Sequence, residues 1–94
     1  MDQRTVSPLI RLHANDNVLV AREPLAIGQH LPEFGLRLRA QVPAGHKIAA
    51  RPIARGEQVK KYDVVIGAAV RDIEAGEHVH SHNLELVDFY RDPA

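Results

Sequence analysis

The sequence predicts a mostly β domain, small and barrel-like, of short strands joined by glycine turns. Three observations carry that reading. One unit, an apolar residue, two residues, Gly, two residues and a second apolar residue, occurs four times: Leu25 to Leu31 around Gly28, Val42 to Ile48 around Gly45, Ile53 to Val59 around Gly56, and Ile73 to Val79 around Gly76. Each unit reads as a strand end, a tight turn that needs Gly at positive φ, and a strand start. The apolar stock is 25 Val, Ile and Leu residues (10, 6 and 9) against four aromatics, Phe34, Tyr62, Phe89 and Tyr90, and β-branched abundance favours strands. Finally, Pro24, Pro32, Pro43 and Pro52 exclude a long helix across the same stretch.

Taken in order, Met1 to Leu9 read as a loose tail. His13-Ala14-Asn15-Asp16-Asn17 reads as an Asx-type turn leading into a strand at Val18 to Ala21. The four glycine units follow, at glycine spacings of 17, 11 and 20, too irregular for a solenoid. Val64 to Val70 has strand length, and Gly67 inside it marks a bulge or a close backbone approach. Leu84 to Val87 is the last strand, and Arg91 to Ala94 a second tail. The sum is six to eight short strands in a single domain, residues 1–94, with its core at about 13–87.

Composition narrows the function. Lys plus Arg equals Asp plus Glu at 12 each, which removes the basic excess of a nucleic-acid binder. Without cysteine there is no disulfide framework, thiolate zinc site or thiol nucleophile. No apolar run is long enough for a membrane span or a signal peptide, so the expected location is cytoplasmic. The charge is segregated along the chain: seven basic residues against Glu57 between Arg37 and Lys61, then six acids against Arg91 between Asp72 and Asp92. Such segregation either steers an anionic ligand or a partner subunit, or forms two solvated faces. A 94-residue chain has little room for a deep site, so any enzyme site it carries is shallow or shared.

Six histidines form the main chemical signal, and four of them lie between Gly45 and Asn83. If Gly76-Glu77-His78-Val79-His80-Ser81-His82-Asn83 is extended, Val79 and Ser81 face one way and His78, His80 and His82 the other. Histidines at alternate strand positions can bind one metal ion; the plainer alternative is a row of hydrogen-bonded or exposed imidazoles. His13 and Asp16 either cap their own turn or add ligands to that histidine face. Gly45-His46-Lys47 and Lys60-Lys61-Tyr62 combine ammonium groups with turn amides, which can clamp a carboxylate or sulfonate, although solvated lysines are commoner.

These motifs stand in an order that is familiar. His13-Ala14-Asn15-Asp16-Asn17-Val18, Gly45-His46-Lys47-Ile48-Ala49, Ile53 through Val59, Lys61-Tyr62, Ile66-Gly67 and Gly76 through Asn83 resemble the N-terminal region of altronate and galactarate dehydratases. They are similar also to the separate small subunit of sulfolactate sulfo-lyase. The resemblance runs from about His13 to Asn83, with one departure: Asp63 stands where the family usually has Gly after Lys61-Tyr62. That departure either removes a positive-φ turn or adds a carboxylate near the site.

The resemblance implies a SAF-type β-clip fold and a metal-assisted β-elimination on an anionic 2-hydroxy acid, with a divalent metal, Fe2+ or Mn2+, as cofactor. It implies a large dehydratase-like catalytic subunit as partner, with neither nucleic acid nor membrane, and it admits a homo-oligomer. The site residues expected on this basis are His13, His46 and His80 as catalytic groups, Asn15, Asp16, Lys47, Lys61 and Asn83 toward substrate, and His13, His80 and His82 toward metal. The competing reading, from a different class, is a non-catalytic SAF-type binding or assembly module.

Overall fold

The computed structural model describes residues 7–86. Among these residues nine short strands form: β1 (Leu9–Ile10), β2 (Val18–Ala21), β3 (His30–Leu31), β4 (Leu36–Arg37), β5 (Lys47–Ala49), β6 (Gln58–Lys61), β7 (Val64–Ala69), β8 (His78–Val79) and β9 (Leu84–Leu86). Among the described residues helix is limited to one 3-10 turn at Pro32–Phe34, placed by a proline at its start and closed by Gly35 in the left-handed conformation. The strands form three antiparallel sheets, in the orders β1-β2-β5-β8, β3-β4 and β6-β7-β9.

The four glycine units are the frame of this architecture. Gly28, Gly45, Gly56 and Gly76 all have φ between 84° and 86°. In each unit the residue after Gly donates its N–H to the carbonyl three residues back: Gln29 to Ala26, His46 to Pro43, Glu57 to Ala54 and Glu77 to Glu74. The units also pair. Leu25 bridges Val42, and Ile53 bridges Ile73. Leu25, Leu31, Val42 and Ile48, the flanking residues of the first pair, fall in one buried cluster with Leu9, Leu19 and Leu38. Ile53, Val59, Ile73 and Val79, from the second pair, fall in another with Val18, Ala49 and Leu84. Two pairs of turns thus build two cores. The β1-β2-β5-β8 sheet lies between them, since Leu19 and Ile48 feed the first and Val18 and Ala49 the second.

Gly67 and Gly76 are required for different reasons. At Gly67 a Cβ would collide with the backbone oxygen of Glu85 on β9, so the close approach expected there is what occurs. The bulge lies instead in β6, between Val59 and Lys60. At Gly76 positive φ and lack of space coincide, because a Cβ would meet the carbonyl oxygen of Arg37.

At the N-terminal side the expected tail needs correction: Leu9 and Ile10 pair with Ala21 and Val20, and Leu9 is buried in the first core. Val87 of the last expected strand and the Arg91–Ala94 tail lie outside the described residues.

Candidate functional site

The first sheet ends at the edge strand β8, and its register assembles the imidazoles. Lys47 pairs with Val79 and Ile48 with His78. One step further along the ladder brings His80 opposite His46. Directly paired residues share a face, so His46, His78 and His80 continue the face on which Ile48 packs into the first core. The His46 and His78 rings lie 5.2 Å apart, His46 and His80 4.7 Å, and His78 and His80 5.3 Å, all stacked. His46 Nδ1 and His78 Nε2 share a hydrogen bond of 3.0 Å. One nitrogen from each of the three rings falls within 4.8 Å of the others. Beside His78 opens a cleft of about 670 Å³ whose walls include Leu25, Val42 and Pro43.

The electrostatics favour a neutral imidazole at His78. Burial, followed by the neighbouring rings of His46, His80 and His82 and the Lys47 ammonium, depresses the pKa of His78 to about 4. At neutral pH its lone pair is therefore free to ligate. Two nitrogens 3.0 Å apart suit adjacent positions around one ion with metal–nitrogen bonds of about 2.1 Å. The donor set therefore fits a divalent transition metal. Being three neutral groups, it leaves the ion's charge to be balanced by carboxylates from elsewhere.

The expected metal set was His13, His80 and His82; the cluster is His46, His78 and His80. His82 stays near, its ring 5.6 Å from that of His78 but tilted by 41°. The extended histidine row does not form: β8 stops at Val79, and the carbonyl of His80 accepts the N–H groups of both Asn83 and Leu84 in a reversal of the chain. His13 is elsewhere. Its loop enters β2 at Val18, whereas His46 is held at the opposite end by the Ala21 N–H to His46 carbonyl bond. At about 3.3 Å per residue, the length of β2 puts about 10 Å between those two ends. His78, part of the expected histidine row but left out of the expected metal set, neighbours all three other rings; the β5–β8 register that places it there cannot be read from local spacing.

The His13–Asn17 loop meets the tip of the β6–β7 hairpin instead. Asp16 is buried, and its two carboxylate oxygens accept the N–H groups of Tyr62 (2.8 Å) and Asp63 (2.7 Å). Both of those residues have positive φ, 59° and 61°, so the turn survives with Asp in the glycine position. The added carboxylate also comes near the loop: Asp63 accepts a hydrogen bond from Asn15 Nδ2 at 3.1 Å and lies 3.8 Å from His13 Nε2. Asn17 secures the same junction, donating to the Gln58 carbonyl and accepting from the Lys60 N–H. Asp16, expected toward substrate, is thus turned into the fold. So is Asn83, which is fully buried and bonded to the backbone of His78 and His80.

Lys47 and Lys61 do come together. Burial, and then the charge of Lys61, lowers the Lys47 pKa. Among the described residues neither lysine has a carboxylate within ion-pair distance. That leaves two half-buried cationic side chains, Lys47 on the face of β5 opposite His46 and Lys61 at the β6–β7 hairpin, and cationic groups without a carboxylate partner can receive an anion.

A mostly β domain folded on paired glycine turns, with imidazoles at one sheet edge, is a SAF-type β-clip domain. The chain belongs to the altronate/galactarate dehydratase SAF domain family, whose model matches residues 7–87. It is 46% identical over 88 residues to altronate dehydratase of Escherichia coli (strain K12), covering 87% of this chain and 18% of that protein. Altronate dehydratase of Bacillus subtilis (strain 168) is 38% identical over 76 residues, 79% of this chain and 15% of the relative. The (2R)-sulfolactate sulfo-lyase subunit alpha of Paracoccus pantotrophus is 45% identical over 51 residues, 54% of this chain and 76% of that subunit. The chain therefore spans under a fifth of the dehydratases and most of the small lyase subunit. No helix among the described residues is long and apolar enough to cross a membrane.

Proposed function

We propose that the chain is the small subunit, or the N-terminal domain, of a metal-dependent lyase that eliminates water or sulfite from an anionic 2-hydroxy acid. A larger catalytic chain supplies the rest of the site. The observation that supports this reading is the His46, His78 and His80 cluster, three imidazole nitrogen donors converging at an open sheet edge. These three residues would hold the metal in place of the His13, His80 and His82 set. A bound iron(II) or manganese(II) ion supplies Lewis-acid polarisation of a substrate carboxylate.

The chain's other residues have separable tasks. Lys47 and Lys61 attract the acid and neutralise the negative charge that builds on its carboxylate as the α-proton leaves. His13 accepts the Asn15 backbone N–H at Nδ1, which places its own proton at Nε2, toward Asp63. That ring is a proton-transfer group at the hairpin end of the domain, apart from the metal ligands. Seating the larger chain over both regions excludes water and strengthens each of these interactions.

The test is complementation. Altronate dehydratase shortened by the region that matches this chain is mixed with the purified 94-residue chain, and altronate elimination is followed; the sulfo-lyase large subunit is tested likewise with sulfolactate. Restored turnover with one of the two is expected, and the product, water or sulfite, identifies the leaving group. Turnover by the 94-residue chain alone would overturn the partnership. Failure with both large chains would leave the domain as a binding module.

A further inference from the structure

The β5–β8 register sets His78 and His80 against His46, and immediately after β8 the chain reverses in a turn tied by one buried side chain, which holds that arrangement in place. We propose that Asn83 is the positioning residue of the imidazole cluster. It acts through the backbone of His78 and His80 and touches no ligand. The proposal names the device that holds the proposed metal site in place and rests on that reading for only one arm of its test.

Were β8 to continue as a strand, His78 and His80 would stand about 6.6 Å apart along it and His82 would follow at the same interval. Instead the chain folds back through Ser81 and His82. Asn83 Oδ1 accepts the His80 N–H at 2.9 Å, and Asn83 Nδ2 donates to the His78 carbonyl at 2.8 Å. The Asn83 and Leu84 N–H groups both bond the His80 carbonyl, at 3.1 and 2.9 Å. The backbone groups that flank Val79 are thereby fixed from one residue, and the rings they carry are held where the β5–β8 register sets them against His46. A weaker contact of 3.5 Å from Nδ2 to Glu77 Oε2 leads on to Arg71, also 3.5 Å from that oxygen.

A carboxamide meets these demands with two separate atoms, one accepting and one donating. The position needs an acceptor for one backbone group and a donor for another, on a short stem, inside a site with no exposure. Aspartate has the same shape but would set an oxygen against the His78 carbonyl and bury a charge. Serine keeps one of the two bonds. The role is positional, because both polar ends of Asn83 are engaged with the main chain and neither faces the cluster.

The experiment uses the purified chain and the variants Asn83→Asp and Asn83→Ser. Ring-to-ring nuclear Overhauser contacts between His46 and His80 are measured beside contacts inside the two cores, and Co2+ is titrated as the probe metal. We expect both variants to keep the core contacts and lose the His46–His80 ring contact, with Co2+ affinity falling about 10- to 100-fold, the usual effect of losing an outer-shell partner. Should Asn83→Asp fail to fold, Asn83→Ser decides the question, since its hydroxyl still satisfies the His80 N–H. Variants that retain the ring contact and bind Co2+ within about twofold of the parent overturn the proposal. A parent chain that binds no Co2+ counts against the metal reading alone, and loss of the ring contact in the variants still supports the positioning role.

Discussion

Two turns of this domain are built on one plan and put to different uses. Ala54-Arg55-Gly56-Glu57 and Pro43-Ala44-Gly45-His46 each close with an N–H to carbonyl bond, 2.8 and 3.1 Å, over a glycine at φ 84° or 85°. In the first, the Glu57 side chain folds back to accept the N–H of Ala54 at 2.9 Å. Gln29 does the same for Ala26 and Glu77 for Glu74. In the second turn the corresponding residue is Pro43, which has no N–H to cap. The fourth side chain of that turn is therefore released, and His46 points instead at His78 and His80. A single imino acid frees a position of the repeat that caps its turn in the other three units.

The largest effect should come from removing the released side chain. With a complementing large chain present, His46→Ala should lower the elimination rate about 10²- to 10⁴-fold while unfolding stability changes by about 1 kcal/mol or less. His30→Ala, at an exposed position of β3, should move neither. Equal activity of the His46 variant would mean that its turn is as structural as the other three.

Next come the glycines. Gly76→Val combines a left-handed φ with collision against Arg37, and should cost about 4 kcal/mol or more or abolish folding. At Gly28 nothing lies within 4 Å of an added Cβ, so Gly28→Val meets only the backbone strain, about 2 kcal/mol. Urea unfolding of the pair checks the difference; equal losses would show that space at Gly76 is unimportant.

The caps rank third. Glu57→Ala removes the bond to Ala54 together with the ion pair to Arg51 and should cost about 1 kcal/mol, discounted because the pair is largely exposed. The double variant Pro43→Ala with His46→Glu rebuilds a cap in the fourth turn. It should hold or raise the melting temperature while eliminating activity in the complemented enzyme. A fall in melting temperature comparable to that of Glu57→Ala would refute the equivalence of the turns.

How much of this could be read in advance follows the range of the physics. The glycine turns are local: positive φ demands Gly, and the apolar residues three positions to either side must be buried, so all four units are visible in the chain. Gly35 escapes because it lies outside the repeat, and β1 because Leu9 and Ile10 are too short a run to announce pairing with β2. The site was legible in its residue types and not in its grouping. His13 and His80 belong to loops of similar composition, yet the β2–β5 register sends them to different ends of the sheet. Asp63 shows a tertiary override: its φ of 61° is disfavoured for a non-glycine residue, and the buried Asp16 carboxylate holds it by accepting two turn amides. Nothing in the Lys61-Tyr62-Asp63 sequence alone reveals that partner.

The smallest expected effect separates the two turns by pH in the metal-free chain. His78 beside His46 titrates at about 4 when folded against 6.5 when unfolded. Between those values the unfolded chain takes up a proton that the folded chain refuses, so stability falls as pH drops from 6.5 toward 4 and is unaffected above 6.5. Glu57 behaves as a carboxylate with a lowered pKa, held down first by the hydrogen bond from Arg51 and then by the Ala54 N–H. Its contribution is present above the ordinary value of 4.5 and is lost only as pH falls below it. The imidazole cluster that the released turn joins should therefore sense acid, through His78, before the capped Glu57 turn does. Melting temperatures measured from pH 7.5 to pH 3 should decline in two stages, with His78→Asn flattening the upper stage and Glu57→Gln the lower. Both slopes should be shallow, since each group is substantially exposed and solvent screens its interactions. A His78→Asn profile that parallels the parent through the upper stage would show that the imidazole cluster does not hold His78 neutral.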